Sequence, residues 1–270
     1  MMRLTKVFFK VFLIVCSIVA FTACGSDDDD KIDGVGYLPG EIPGLGEAAG
    51  ELTGKQFTLP NGIELEGTIM GLNSRIFNLS SSFTPALFPE IHARKEKNLQ
   101  EKAFDLRASA DPEIAVGSGY YVRVLAILNN ENNTDTEVVF PAGLIVRALS
   151  SSNQSGVLLK KTSVTVPKNG SLNVGLILYC GNASRSPSGS SAQYEWGVVT
   201  DSKLILELCD LLKNKKINYE EFAKAEYNTY KDQVDELQSI LWSLTDGDPE
   251  YSNGLTDMQK EYIASLPDSN

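Results

Sequence analysis

TSVTVPKNGSLNVGLILYC, residues 162–180, carries the plainest strand pattern in the chain. Val164 and Val166 alternate with polar neighbours, Lys168-Asn169-Gly170 has the composition of a turn, and Leu172, Val174, Leu176 and Leu178 alternate beyond it. A period of two places each set on one face of a sheet, so the stretch predicts a hairpin with one buried side. The same parity carries Cys180 onto the inward face.

Upstream, residues 121–128 and 137–149 predict two more strands around a polar loop at 129–135, with Pro141-Ala142-Gly143 marking a bulge or a strand switch. Residues 57–59 and 63–70 flank Pro60-Asn61-Gly62, and an Asn-Gly pair between apolar runs predicts a tight hairpin. Residues 80–119 read as mixed: Pro85, Pro89 and Pro112 interrupt them, although 90–107 could hold a helix. Downstream, a Ser-rich loop at 184–191 leads to a short strand near 194–199, and then the period changes. Asp201 or Ser202 can cap a helix with Ile205, Leu208, Cys209 and Leu212 on one face. A second helix, 219–244, bears Val234, Leu237, Leu241 and Leu244 on one stripe, and a last one opens with Thr256 and Gln259 as a capping box. The expectation is an α+β protein: a β-sandwich-like body over residues 56–199, with residues 200–270 as a helical segment completing the same domain.

The chain begins differently. Arg3, Lys6 and Lys10 surround an apolar stretch over residues 7–21, the basic-then-apolar order of an export signal. The stretch falls short of the roughly 20 apolar residues that a membrane-crossing helix needs, so residues 1–23 are expected to be cleaved. Thr22-Ala23-Cys24 resembles the lipobox of bacterial lipoproteins, which implies a lipid on Cys24. Asp27 to Asp30 follow directly and resemble the acidic surface-export signal of some Gram-negative lipoproteins; a solvated charge run in a linker is the plainer reading. Together these predict an outer-membrane lipoprotein facing the cell exterior. Residues 24–55, rich in Gly and Pro and without periodicity, are expected to be a flexible stalk.

Removing the signal removes three basic residues, leaving 21 Lys plus Arg against 35 Asp plus Glu, a net charge of 21 − 35 = −14. Such a balance excludes nucleic acid as a partner and leaves the lipid anchor as the contact with the membrane. Catalytic constellations are sparse. His92 is the one histidine and has no nucleophile signature around it. Asp246, Asp248 and Glu250 read as an acidic turn, lacking the length and bidentate acid of a calcium loop. No metal site and no cofactor beyond the lipid is expected, and the chain does not read as an enzyme. A noncovalent binder of an extracellular protein or glycan would need an exposed aromatic patch, for which Tyr120, Tyr194 and Trp196 are the candidates.

Two cysteines remain. Cys180 and Cys209 both face inward by periodicity, and in an oxidising compartment they could form a disulfide joining sheet to helix, or stay as buried thiols. A third reading comes from resemblance. Tyr179-Cys180 on a strand, then Leu237-Gln238-Ser239-Ile240-Leu241-Trp242 leading into Thr245-Asp246-Gly247, resembles the bacterial thioester domains of surface adhesins. In that family a Tyr-Cys motif precedes a Thr-Gln-x-Ala motif followed by an apolar residue and Trp. Here Leu237 stands for the threonine and Ile240 for the alanine, and the likeness covers about a third of the chain, residues 178–266. The resemblance implies that Cys180 is the thiol, Gln238 the acyl donor, and Tyr179 and Trp242 the aromatics shielding the bond from water. It implies a surface-exposed binding or adhesion module whose electrophile is attacked by a partner's amine.

Overall fold

A computed structural model describes residues 33–72, 112–247 and 254–269. The signal, Cys24, the acidic run, His92, Asp248, Glu250 and the possible helix at 90–107 lie outside the described residues.

The strands are β1 (Gly54–Gln56), β2 (Ile63–Leu65), β3 (Ile69–Gly71), β4 (Ile114–Gly117), β5 (Val122–Asn130), β6 (Thr136–Phe140), β7 (Leu144–Ala148), β8 (Gly156–Val157), β9 (Thr162–Val166), β10 (Ser171–Cys180) and β11 (Gln193–Thr200). The helices are α1 (Lys203–Leu212), α2 (Tyr227–Trp242) and α3 (Asp257–Ser265). The fold is β-rich α+β. Where a sandwich-like body was expected, the order β5-β3-β11-β7-β8-β10 closes through a β10–β5 ladder into a six-stranded antiparallel barrel. Closure removes the free edges that an open sheet would have to protect. β4 adds to β10 in parallel, and β2 and β1 add to β5 and β11.

Both predicted hairpin turns exist, but neither joins a hairpin. Asn169 takes a left-handed φ of 49° in the turn before β10, yet β9 pairs with β6 in a separate two-stranded sheet, while β10 pairs with β5 from Ser171 to Leu178. Pro167 supplies one reason: it has no N–H to donate where a β9–β10 ladder would start. Likewise Ile63 N–H donates to Pro60 O at 3.0 Å to close the Asn61-Gly62 turn, but β1 goes to β11 and β2 to β5. The strand switch at 141–143 is present: β6 lies in the small sheet and β7 in the barrel.

Alternation along β10 sorts the core into two layers. Val174, Leu176, Leu178 and Cys180 face the barrel interior with Val122, Val124 and Leu128 of β5. Tyr179 faces outward into a second apolar layer with Ile145 and Val157, and this layer receives the helices. Ile205, Leu208, Cys209 and Leu212 of α1 and Val234, Leu237 and Leu241 of α2 fill it, as their 3.6-residue spacing demands. In α3 the capping box is complete: Gln259 N–H donates to Thr256 Oγ1 and Thr256 N–H to Gln259 Oε1.

The expected stalk is corrected from Asp33 onward. Ile42 and Leu45 are buried at 2% and 0% exposure within the helical layer. Val35 N–H bonds Asp201 O, Gly40 N–H bonds Leu244 O and Gly46 N–H bonds Gly181 O, at 2.7, 2.9 and 2.8 Å. The segment is a strap laid across the fold, and its lone apolar residues act as pegs.

Candidate functional site

β10 outlasts its β5 partner, whose ladder ends at Leu178 opposite Val122. Two residues on, the side chain of Gln238 replaces the missing strand. Cys180 N–H donates to Gln238 Oε1 at 2.8 Å, and Gln238 Nε2 donates to Cys180 O at 2.9 Å. Gln238 is 1% exposed on the apolar stripe of α2, where an unpaired carboxamide would be costly; the two bonds satisfy it and both Cys180 backbone groups. Residues 58 positions apart are thereby clasped together.

The Cys180 thiol is fully buried. Its sulfur accepts from Asn182 N–H at 3.3 Å and donates to Asn182 O at 3.2 Å. Burial pushes the thiol up to about 11, against the pull of the Asn182 N–H and of the Trp242 indole beside it. Trp242 Nε1 is buried without a full hydrogen bond of its own. The Trp242 ring packs on Tyr121 with centroids 5.6 Å apart. Tyr194, buried on β11, has a hydroxyl with no hydrogen-bond partner among the described residues and is raised well above its usual range by burial, with the Cys180 sulfur adding to the effect.

Loop 181–183 is held from three directions. Asn182 donates to Gly46 O at 3.0 Å and accepts from Ser155 N–H at 3.1 Å. Gly181 O accepts from the strap. Ala183 N–H donates to Asp246 Oδ1 at 3.0 Å, while Thr245 Oγ1 donates to Oδ2 at 2.8 Å. Asp246 lies in a π-helical turn, Ser243–Gly247, that continues α2; such turns interrupt regular helices and recur at functional sites. Desolvation raises the Asp246 carboxyl, with Glu47 adding and Thr245, Ala183 and Arg185 opposing. A cleft of about 540 Å³ opens between the end of α2 and the start of α3, lined by Trp242, Ser243, Asp246, Glu236, Met258 and Gln259 among others.

The sequence-predicted site residues divide accordingly. Cys180 and Gln238 are together, with Trp242 beside them. Tyr179 is corrected: strand alternation turns its ring to the helical layer, and Tyr121 is the aromatic that stands with Trp242. The Cys180–Cys209 bridge is corrected as well. Both are free thiols in different layers, Cys180 in the barrel interior and Cys209 among the helices, where burial pushes it up to about 12. Tyr120, Tyr194 and Trp196 form no exposed patch. Tyr194 is 1% exposed, Trp196 packs on Phe57 and Phe140, and Tyr120 lies under the Arg123 guanidinium. Sequence reading missed Asn182, Tyr121, the cleft and the strap; only Asn182, two residues beyond the cysteine, stood where a search around the motif would have met it. The chain matches no family model, no curated protein and no solved structure.

Proposed function

We propose that this chain is a lipid-tethered surface module that captures an amine-bearing partner through an internal thioester between Cys180 and Gln238. The observation carrying this reading is the clasp of the Gln238 carboxamide on the Cys180 backbone, both residues being buried, with Trp242 beside the sulfur. Bond formation requires Sγ to attack Cδ of Gln238 as the C–N bond breaks; the thiol proton leaves with the amide nitrogen as ammonia. A partner amine then attacks the same carbon, the C–S bond breaks, and the thiol is regenerated beside a new amide. Burial serves both stages, because water is the competing nucleophile. The high basicity of the buried thiolate lets it take up a proton as it leaves.

The export signal and Cys24 supply the tether in this reading, and the partner is an extracellular protein or glycan-linked amine. Cys24 precedes the first described residue, Asp33, by nine positions.

Intact mass of the soluble protein, with and without methylamine, tests the proposal. The expected mass lies about 17 Da below that of the sequence, and methylamine raises it by about 31 Da at Gln238. Gln238→Leu abolishes both changes. A wild-type mass equal to the sequence, unmoved by methylamine, refutes the thioester.

A further inference from the structure

If Cys180 and Gln238 hold a thioester, something must bring an amine to it in reactive form. At neutral pH an alkylamine of the lysine type is almost wholly protonated, its pKa being about 10.4, and an ammonium cannot attack a carbonyl. Two residues belong both to the surroundings of Cys180 and to the cleft between α2 and α3. Trp242 lies beside the sulfur and lines the cleft. Asp246 lines the cleft and accepts from Ala183 N–H in the loop that follows Cys180. The cleft also carries Glu236 of α2, and among the described residues its lining includes no Lys or Arg. Its charge therefore favours a cation, and Asp246 is the lining carboxylate that also bonds the loop after Cys180.

We propose that this cleft admits the acceptor amine and that Asp246 takes the proton the arriving ammonium must lose. The assignment rests on the thioester reading and adds to it a route and a base. The steps balance. R–NH3+ gives one proton to the Asp246 carboxylate; R–NH2 attacks Cδ of Gln238; the C–S bond breaks; and the second N–H proton passes to Sγ. Asp246 then releases its proton through the open cleft. A half-buried carboxyl raised by desolvation is better matched to an amine than an exposed one, since proton transfer gains as the two affinities approach. The charged groups facing it are Glu47 of the strap, which raises it, and Arg185 of the loop, which lowers it, and Asp246 in turn acts on the Cys180 sulfur inside. Asp246 is thus a catalytic residue for the opening of the bond, while Thr245 and Ala183 are positioning groups that aim it.

Asp246→Asn keeps the size of the side chain and an oxygen for Ala183 N–H. The test follows the rate of methylamine addition by intact mass between pH 6 and 10 at fixed total amine, beside hydroxylamine, which is unprotonated at neutral pH and needs no base. The variant is expected to keep the mass deficit, react with hydroxylamine at the wild-type rate, and lose about 100-fold or more in the methylamine rate at pH 7. Its rate should then track free amine alone, recovering tenfold per pH unit, whereas the wild type stays nearly flat once Asp246 is ionised. Glu236→Gln should raise the methylamine concentration needed for half-maximal rate without changing the pH profile. Equal methylamine rates and profiles in D246N and wild type overturn the assignment. So does a D246N chain of unmodified mass, which would put Asp246 in making the bond rather than opening it. A wild-type chain without the deficit removes the thioester reading and this assignment together.

Discussion

Replacing Gly46 by alanine tests whether the strap is structural. Gly46 has φ +54°, a left-handed conformation that costs a side-chain-bearing residue about 1–2 kcal/mol. An added Cβ would lie 2.0 Å from Thr245 O and 2.7 Å from its carbonyl carbon, and neither can rotate aside because both are backbone. The clash has one outlet, lifting of the strap, so the cost is capped by what the strap gains on docking. The two pegs, Ile42 and Leu45, supply about 1.5–3 kcal/mol each, partly offset by the entropy of ordering the segment. We expect a loss of about 3 kcal/mol in urea denaturation and a fall in Tm of roughly 6–12 °C. Release should also free the backbone at the already exposed Glu41 and Glu47 for a glutamyl endopeptidase, with cleavage inside the strap while the barrel stays intact. Gly36→Ala is the control, since a Cβ there meets nothing within 4 Å, and it should be silent. A G46A protein with wild-type Tm and a protease-resistant strap would refute the reasoning.

Other consequences follow from buried polar groups. Lys160, 8% exposed, donates to Glu221 Oε1 at 2.6 Å, to Lys215 O and to Ser269 Oγ; Lys160→Met strands the carboxylate and should cost about 3 kcal/mol in chemical denaturation. Desolvation alone would raise the Glu221 carboxyl, but its bonds from Lys160, Ser269 and the Asn218 N–H hold it below its usual 4.5. That stability is fully present above pH 4.5 and drains as pH falls through the lower folded-state value, so K160M should flatten the acid limb of a stability–pH curve. Cys209, its thiol pushed up to about 12, and Cys180, buried and acylated in the proposed thioester, should resist iodoacetamide at pH 7.5 in the native protein. After unfolding in the presence of amine, both should be labelled; rapid native labelling of either would contradict the burial described.

The sequence disclosed local geometry far better than partnership. Asn61-Gly62 and Lys168-Asn169-Gly170 are true turns, because φ preferences are written in the residues themselves. Which strand lies beside β9 or β2 is decided by barrel closure, a property of the whole set of strands that no single stretch encodes. The face of Cys180 was legible from parity. Gln238 was legible as a polar residue on the Val234–Leu237–Leu241 stripe, although only the motif connected it with a cysteine 58 residues away. The strap was misread for a physical reason. Glycine marks both a chain free to move and a backbone pressed against another, and Gly46, packed on Thr245 O, is the second kind. Ile42 and Leu45 have no periodicity because pegs need none.

The strap also sets a mechanical order. Tension applied from the N-terminal side would enter the described fold at Asp33 and meet Val35, Gly40 and Gly46 before any barrel strand. Gly40 is held by one hydrogen bond and Val35 and Gly46 by two each, whereas β10 is laddered to β5 over eight residues. Tension would therefore peel the strap first. Its last fastenings, to Gly181 and Asn182, adjoin Cys180, so load on the strap would be registered at that residue before the barrel yields.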